Sequence, residues 1–228
     1  ENDAITILTT FYHHAEILMT LGELSDCEEI LLKIKKIFNS DFKNNEIYCA
    51  ISGTIGKMYF LMGKYDDSEL NIKEQLTLSE KLGNMDQKFE ALSQLVKIKR
   101  ERGNLDDAEQ ELNFLKEEFS DDSLKSGNIF SDLGAIYLIR GSLNKALEFY
   151  KKSEKIYTDN NQKISLLNTL GNIGIIYKSL GENQKALEIF DMMLAVNQDI
   201  GDKALSSKAH GNKGIVLKNL KKFTEALR

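Results

Sequence analysis

The sequence predicts an all-α chain built from about six consecutive helical hairpins, and three observations carry this reading. No proline occurs in 228 residues, so no position lacks the backbone N–H that a helix interior needs. One block of residues returns at a displacement of 40: Leu133-Gly134-Ala135-Ile136-Tyr137, followed by Gly141 and Lys145-Ala146-Leu147-Glu148, reappears as Ile173-Gly174-Ile175-Ile176-Tyr177, followed by Gly181 and Lys185-Ala186-Leu187-Glu188. Glycines stand between the apolar runs, where helices stop.

Taken in chain order, the copies are as follows. The first is anchored at Ala15, with Gly22 and Cys27, and the second at Gly56, with Tyr59, Gly63 and Ser68. The third, at Val96 with Gly103 and Ala108, is degenerate. Gly134 and Gly174 anchor the fourth and fifth, and Gly214 the sixth, which continues with Leu217 and Glu225-Ala226-Leu227 and carries Lys221 where the others have glycine. The anchors step by 41, 40, 38, 40 and 40 residues, while the distance from each anchor to the next small position stays at 12. Each copy therefore reads as a helix, a glycine turn and a second helix. A small anchor lets the two helices approach, and the small residue 12 later is expected to face it. Tyr59, Tyr137 and Tyr177 fill the space beside that contact. Gly22, Gly63, Gly103, Gly141 and Gly181 are expected to end the first helices in the left-handed conformation. Leu82-Gly83-Asn84 and Ile200-Gly201-Asp202 mark stops and restarts between copies, because Asn and Asp start helices well. The repeats fall at about 1–41, 42–83, 84–120, 121–160, 161–201 and 202–228 of a single domain, the last hairpin incomplete. That incompleteness reads as a piece of a longer protein.

Composition narrows the function classes. With 42% hydrophobic and 29% charged residues the chain can bury a substantial core. No apolar stretch is long enough to cross a membrane, and Glu1-Asn2-Asp3 does not open a signal peptide. A net charge of −5 argues against nucleic acid as partner. Two cysteines, Cys27 and Cys49, fit a reducing compartment, so a cytoplasmic location is expected and both thiols are read as packing residues. His13 and His14 point in different directions on one helix and His210 is five repeats away, so no metal site is expected. No phosphate loop, HExxH helix or serine elbow is present. The expectation is a chain with no cofactor, no catalytic residue and no enzymatic activity of its own.

The leucine-glycine, tyrosine, alanine and aromatic pattern of Leu133 to Tyr150 and of Ile173 to Phe190 resembles the tetratricopeptide repeat, in a long form of about 40 residues. Longer repeats of this kind are similar to those of kinesin light chains, Pins-type scaffolds and Rap-type peptide receptors. The resemblance implies a right-handed superhelix that binds a protein or peptide along its concave groove. In such proteins ligands meet positions two and six before the anchor and one and four after it. Two before the anchor stand His13, Thr54, Gln94, Asp132, Asn172 and Asn212, and Asn172 and Asn212 match the asparagines that grip a ligand main chain. Lys57, Lys97, Arg100, Lys178, Lys208 and Lys218 gather on the same face against Glu16, Glu90, Glu101 and Asp132, leaving it net positive by two. This favours a ligand that is acidic or ends in a carboxylate. Pairing of these acids with the bases, and inter-repeat hydrogen bonds of the asparagines, are the plain alternatives. Lys208 and Asn212 also resemble half of the carboxylate clamp of chaperone-binding domains.

Two functions follow as expectations. One is an interaction scaffold. The other is a ligand- or peptide-sensing segment of a larger transcription regulator, kinase or cyclase.

Overall fold

A computed structural model describes residues 2–38 and 45–220, with side chains from residue 6. Lys221, Phe223 and Glu225-Ala226-Leu227 of the sixth copy lie outside the described residues. Among the described residues every regular element is an α-helix. In order they are α1 (Asn2–Leu21), α2 (Leu24–Ile37), α3 (Glu46–Leu61), α4 (Tyr65–Leu82), α5 (Met85–Glu101) and α6 (Leu105–Glu118). They continue as α7 (Ser123–Ile139), α8 (Leu143–Asp159), α9 (Lys163–Ser179), α10 (Asn183–Asn197) and α11 (Lys203–Asn219).

The glycines end first helices as the sequence requires. At Gly181 the backbone has φ +77°, a region open to glycine but strained for residues with a Cβ. Its N–H bonds to the carbonyl of Lys178 at 3.2 Å and that of Glu182 to Tyr177 at 2.9 Å, so α9 closes in the paired-bond motif that satisfies its last carbonyls. Gly22, Gly63, Gly103 and Gly141 share the positive φ. The end of α8 uses Asn161 instead, at φ +54°, a non-glycine residue that tolerates this region.

The turns into first helices supply a side-chain cap in four cases, whereas α9 starts from Gln162 without one. Asn45, Asn84, Asp122 and Asp202 cap α3, α5, α7 and α11, accepting from the backbone N–H of Tyr48, Gln87, Lys125 and Leu205 at 2.7 to 3.0 Å. These carboxamides and carboxylates satisfy donors that a helix start leaves open. The second helices α2, α4, α8 and α10 start from Glu23, Lys64, Ser142 and Glu182 without a side-chain cap.

The chain divides into two compact units, with the boundary inside α6 between Ala108 and Glu109. In the first unit α1 packs on α2, α3 on α4, and each hairpin on its neighbour. Cys27, Leu31 and Ile34 of α2, with Phe38 just past its end, share a core with Ala15, Cys49, Ile51, Ile55 and Met58. Both cysteines are buried and free. In the second unit α7 packs on α8, α9 on α10, and α8 and α10 pack on the first helix that follows each. Its core joins Ala146 and Tyr150 to Ile173, Ile176, Ala186, Phe190, Val216 and Leu217.

The anchor glycines face a different residue from the one expected. Ala146 and Ala186 are fully buried. Yet a Cβ built on Gly134 would stand 3.0 Å from the ring of Tyr150, and one on Gly174 would stand 2.4 Å from Cε1 of Phe190. The side chain nearest each of these two glycines is thus that of the residue 16 after the anchor. Gly56 keeps a contact at 12, because its carbonyl accepts from Ser68 Oγ at 2.7 Å, while Ile72 takes the place of the aromatic ring.

Candidate functional site

The positions expected to meet a ligand lie along the first helices, six and two residues before the anchor and one and four after it. On a helix these offsets form one stripe, with the last beside it. The two units fill the stripe differently.

In the first unit the stripe is largely satisfied from within. Thr54 is buried and its hydroxyl meets that of Tyr12 at 3.0 Å, while Tyr12 donates to Glu16 at 2.8 Å. Burial, and the neighbouring Glu16 carboxylate to a smaller degree, push the Tyr12 phenol well above its ordinary value. His13 Nδ1 lies 3.0 Å from Glu16 Oε2. Lys57 pairs with Glu90 of the next repeat, and Glu90 also accepts from Gln75 at 3.4 Å. Arg100 pairs with its neighbour Glu101 at 3.1 Å. Gln94 is buried, and Lys97, half-buried, has no acidic partner among the described residues. Deeper in this unit Glu74 of α4 collects Lys35 of α2 and Tyr48 and Ser52 of α3, at 3.0 Å and 3.2 Å for the last two. Burial alone would raise its carboxyl, but the hydrogen bond and charge of Lys35, with Tyr48 and Ser52, outweigh it and hold the group below its ordinary value.

In the second unit much of the stripe keeps unused capacity. On α9 it runs Asn168, Asn172, Ile175, with Lys178 beside it, and on α11 Lys208, Asn212, Ile215, with Lys218. Lys178 Nζ donates to Asn212 Oδ1 at 2.8 Å, tying the two repeats, and Asn212 Nδ2 donates to the Lys208 carbonyl at 3.1 Å. This is the inter-repeat hydrogen bond that the sequence left open, and it orients Asn212 rather than hiding it. Asn172, half-exposed, has no hydrogen-bond partner among the described residues. Lys208 and Lys218 are exposed and have no acidic partner among them either. Ile215 presents an exposed aliphatic surface next to Asn212. On α7 the stripe holds Asn128, Asp132 and Ala135. Asn128 Oδ1 accepts from Tyr157 at 2.6 Å, and burial pushes that phenol up to about 12, so it stays a donor. Asp132 is half-buried and engaged.

Asn168, Ile175 and Ile215 were not among the residues singled out from the sequence, although they stand at the offsets that were named. Asn168 repeats Asn128 at a displacement of 40, and Ile215 repeats Ile175. The signal was therefore present. His210 lies on another face of α11, where a cleft of about 630 Å³ between α10 and α11 is lined by Asn197, Lys203, Ser206, Ser207 and His210 among others.

No protein-family model matches the chain, and no curated protein matches it. Solved structures do. The apo form of RapI superposes with a TM-score of 0.72 at 13% identity, covering 96% of this chain and 82% of that one. The apo quorum sensor NprR from B. thuringiensis gives 0.69 at 14%, covering 98% and 74%. Tetratricopeptide-like repeats of a putative kinesin light chain from Podospora anserina give 0.61 at 15%, covering 85% and 96%. The chain has the tetratricopeptide-repeat fold, a fold typical of protein- and peptide-binding modules. Among the described residues no helix is long and apolar enough to cross a membrane.

Proposed function

We propose that the first-helix stripe of the second unit binds an extended segment of another protein or a peptide, and that the chain is a binding module rather than an enzyme. One observation carries this: at matched positions the first unit uses up most of its polar groups internally, whereas the second leaves Asn172, Lys208 and Lys218 unmet beside Ile215. A carboxamide offers a donor and an acceptor together, which suits a main chain that has both. Lys178, Lys208 and Lys218 outnumber Asp132 on this stripe, which favours a ligand that is acidic or ends in a carboxylate.

A sensing role is the second reading. It is supported by the likeness to a quorum sensor, and it would add a change of helix arrangement to the same binding event.

The test is selection from a random peptide library on the immobilised chain, followed by titration of the recovered peptide. Asn172→Ala with Asn212→Ala should weaken that peptide by about 1 to 3 kcal/mol, the cost of leaving its main-chain groups unpaired. Equal affinity for both proteins, or peptides with no acidic bias, would remove the stripe from the assignment.

A further inference from the structure

The second helices α6 and α8 present outer faces of opposite character. Both begin two residues past a left-handed glycine, at Leu105 after Gly103 and at Leu143 after Gly141, so their residues match at a displacement of 38. On α6 the exposed stripe is Gln110, Asn113, Phe114 and Glu117, and on α8 the same four positions hold Glu148, Lys151, Lys152 and Lys155, all exposed as well. Phe114 is 62% exposed and stands in an acidic stretch. Residues 109–122 carry six carboxylates against Lys116 alone, a net −5 equal to that of the whole chain. On α8, Lys152 pairs with Glu148 and stands over the rings of Phe149 and Phe130 at 5.2 and 5.8 Å. Glu117 and Lys155 have no ion-pair partner among the described residues. Tyr137 of α7 lies between the two helices: its hydroxyl donates to Glu109 of α6, and Lys145 of α8 stands 4.9 Å from its ring. Helices precede α6 and follow α8, so both faces are open within the body of the chain.

We infer that a second copy of this chain covers both faces at once, α6 of each copy on α8 of the other, about a twofold axis running along the helices between them. Such an axis keeps levels, so each residue of α6 meets the α8 residue 38 further on. Glu117 then meets Lys155, Phe114 meets Lys152, Asn113 meets Lys151 and Gln110 meets Glu148. These are an ion pair, a cation on an aromatic ring and two amides against charged groups, with no like charges opposed. The axis makes every contact twice, as a closed, self-complementary interface requires. A foreign partner would have to carry both stripes at one spacing, and this chain already does. Two helices about 21 Å long and 10 Å wide cover roughly 400 Å² of each copy, half of the about 800 Å² of a stable interface. Association is therefore weak, and its exposed ion pairs make it weaker in salt.

Sedimentation velocity on the full chain across a concentration series, at low and at high salt, reads the result. A monomer–dimer equilibrium that weakens in salt is expected. Glu117→Lys or Lys155→Glu alone should weaken it by at least about tenfold, because each opposes like charges twice, and the double variant should restore it. Circular dichroism should stay unchanged, since both side chains are exposed. For the register, a protein carrying Asn113→Cys mixed with one carrying Lys151→Cys should be joined by a short bis-maleimide, and neither should be joined to itself. Both native thiols are buried and do not compete. A monomer at every concentration would overturn the inference. So would a dimer indifferent to the single reversals, a double variant that stays monomeric, or joining of Asn113→Cys to itself.

Discussion

Gly174 lies against the ring of Phe190, so closely that a methyl group in place of its hydrogen would stand 2.4 Å from Cε1 and 2.7 Å from Cζ. The ring is fully buried and has no room to turn away. Gly174→Ala should therefore destabilise by about 1 to 3 kcal/mol through overpacking. Gly171, one turn earlier on α9, is the control: a Cβ there would meet Met193 at 3.8 Å, an ordinary contact. Gly171→Ala should be neutral or stabilise by up to about 1 kcal/mol, since alanine suits a helix interior better. Urea midpoints of the two variants moving together would contradict this.

The hairpin read from the sequence can be tested from its other side. Ala186 is fully buried on α10. Ala186→Leu should cost about 1 to 3 kcal/mol for the same steric reason. An unchanged thermal midpoint would show that the seam relaxes around the larger side chain.

Helix caps supply a second contrast. Asn84→Ala removes an acceptor 3.0 Å from the Gln87 N–H and should cost about 1 kcal/mol. Ser142→Ala, at the start of α8, removes no cap bond and should leave the denaturation midpoint where it is.

The Glu74 cluster predicts an acid limb in stability. Its carboxyl titrates below its ordinary value in the folded protein, against about 4.3 in the unfolded chain. Its contribution is thus complete above about 4.3 and is lost as pH falls below that, through the folded value. Glu74→Gln should lose about 1 to 2 kcal/mol near neutral pH, a modest figure because the side chain is a third exposed, and should show a shallower fall in acid. An identical pH profile in wild type and variant would assign the acid limb to other carboxylates, of which Glu109, lowered by hydrogen bonds from Tyr137 and Arg140, is the next candidate.

Association with a selected peptide should depend on the two units unequally. Lys208→Ala and Lys218→Ala should slow binding and reduce its salt dependence, whereas Lys57→Ala, whose amine is already paired with Glu90, should change neither. Stopped-flow rates at two ionic strengths decide between them.

The helices and their turns were legible because each is set by neighbours in the sequence. Positive φ at Gly22, Gly63 and Gly141, and caps at Asn84 and Asp202, need a few adjacent residues to be recognised. What the sequence could not give was the partner of a side chain across two helices. Spacing matched Gly174 with Ala186. Side chains on a helix lean toward its start, however, so the ring of Phe190, a turn further on, reaches back over the glycine. The same limit governed the stripe. Lys57 and Glu90 meet although they are 33 residues apart, and no local pattern announces that pairing. Asn168 and Ile215 carry neither a charge nor the position two before an anchor, so only their recurrence at a displacement of 40 sets them apart in the sequence.

The contrast between glycine turns and capped turns bears on how such a chain can change length over generations. From anchor to glycine to the small position of the second helix the count is the same in every copy whose glycine is kept, while the anchors themselves step by 41, 40, 38, 40 and 40 residues. All of that irregularity falls after the small position, on the way to the next first helix, which Asn45, Asn84, Asp122 or Asp202 starts afresh in four cases and which follows the left-handed Asn161 in the case of α9. A residue gained or lost there is absorbed before the next hairpin begins, so an indel stays confined to one joint and the downstream frame of packing is untouched. Insertions of one or two residues between Glu118 and Asp122 should accordingly be inherited without harm, whereas one inserted between Gly174 and Ala186 would shift every contact of its hairpin.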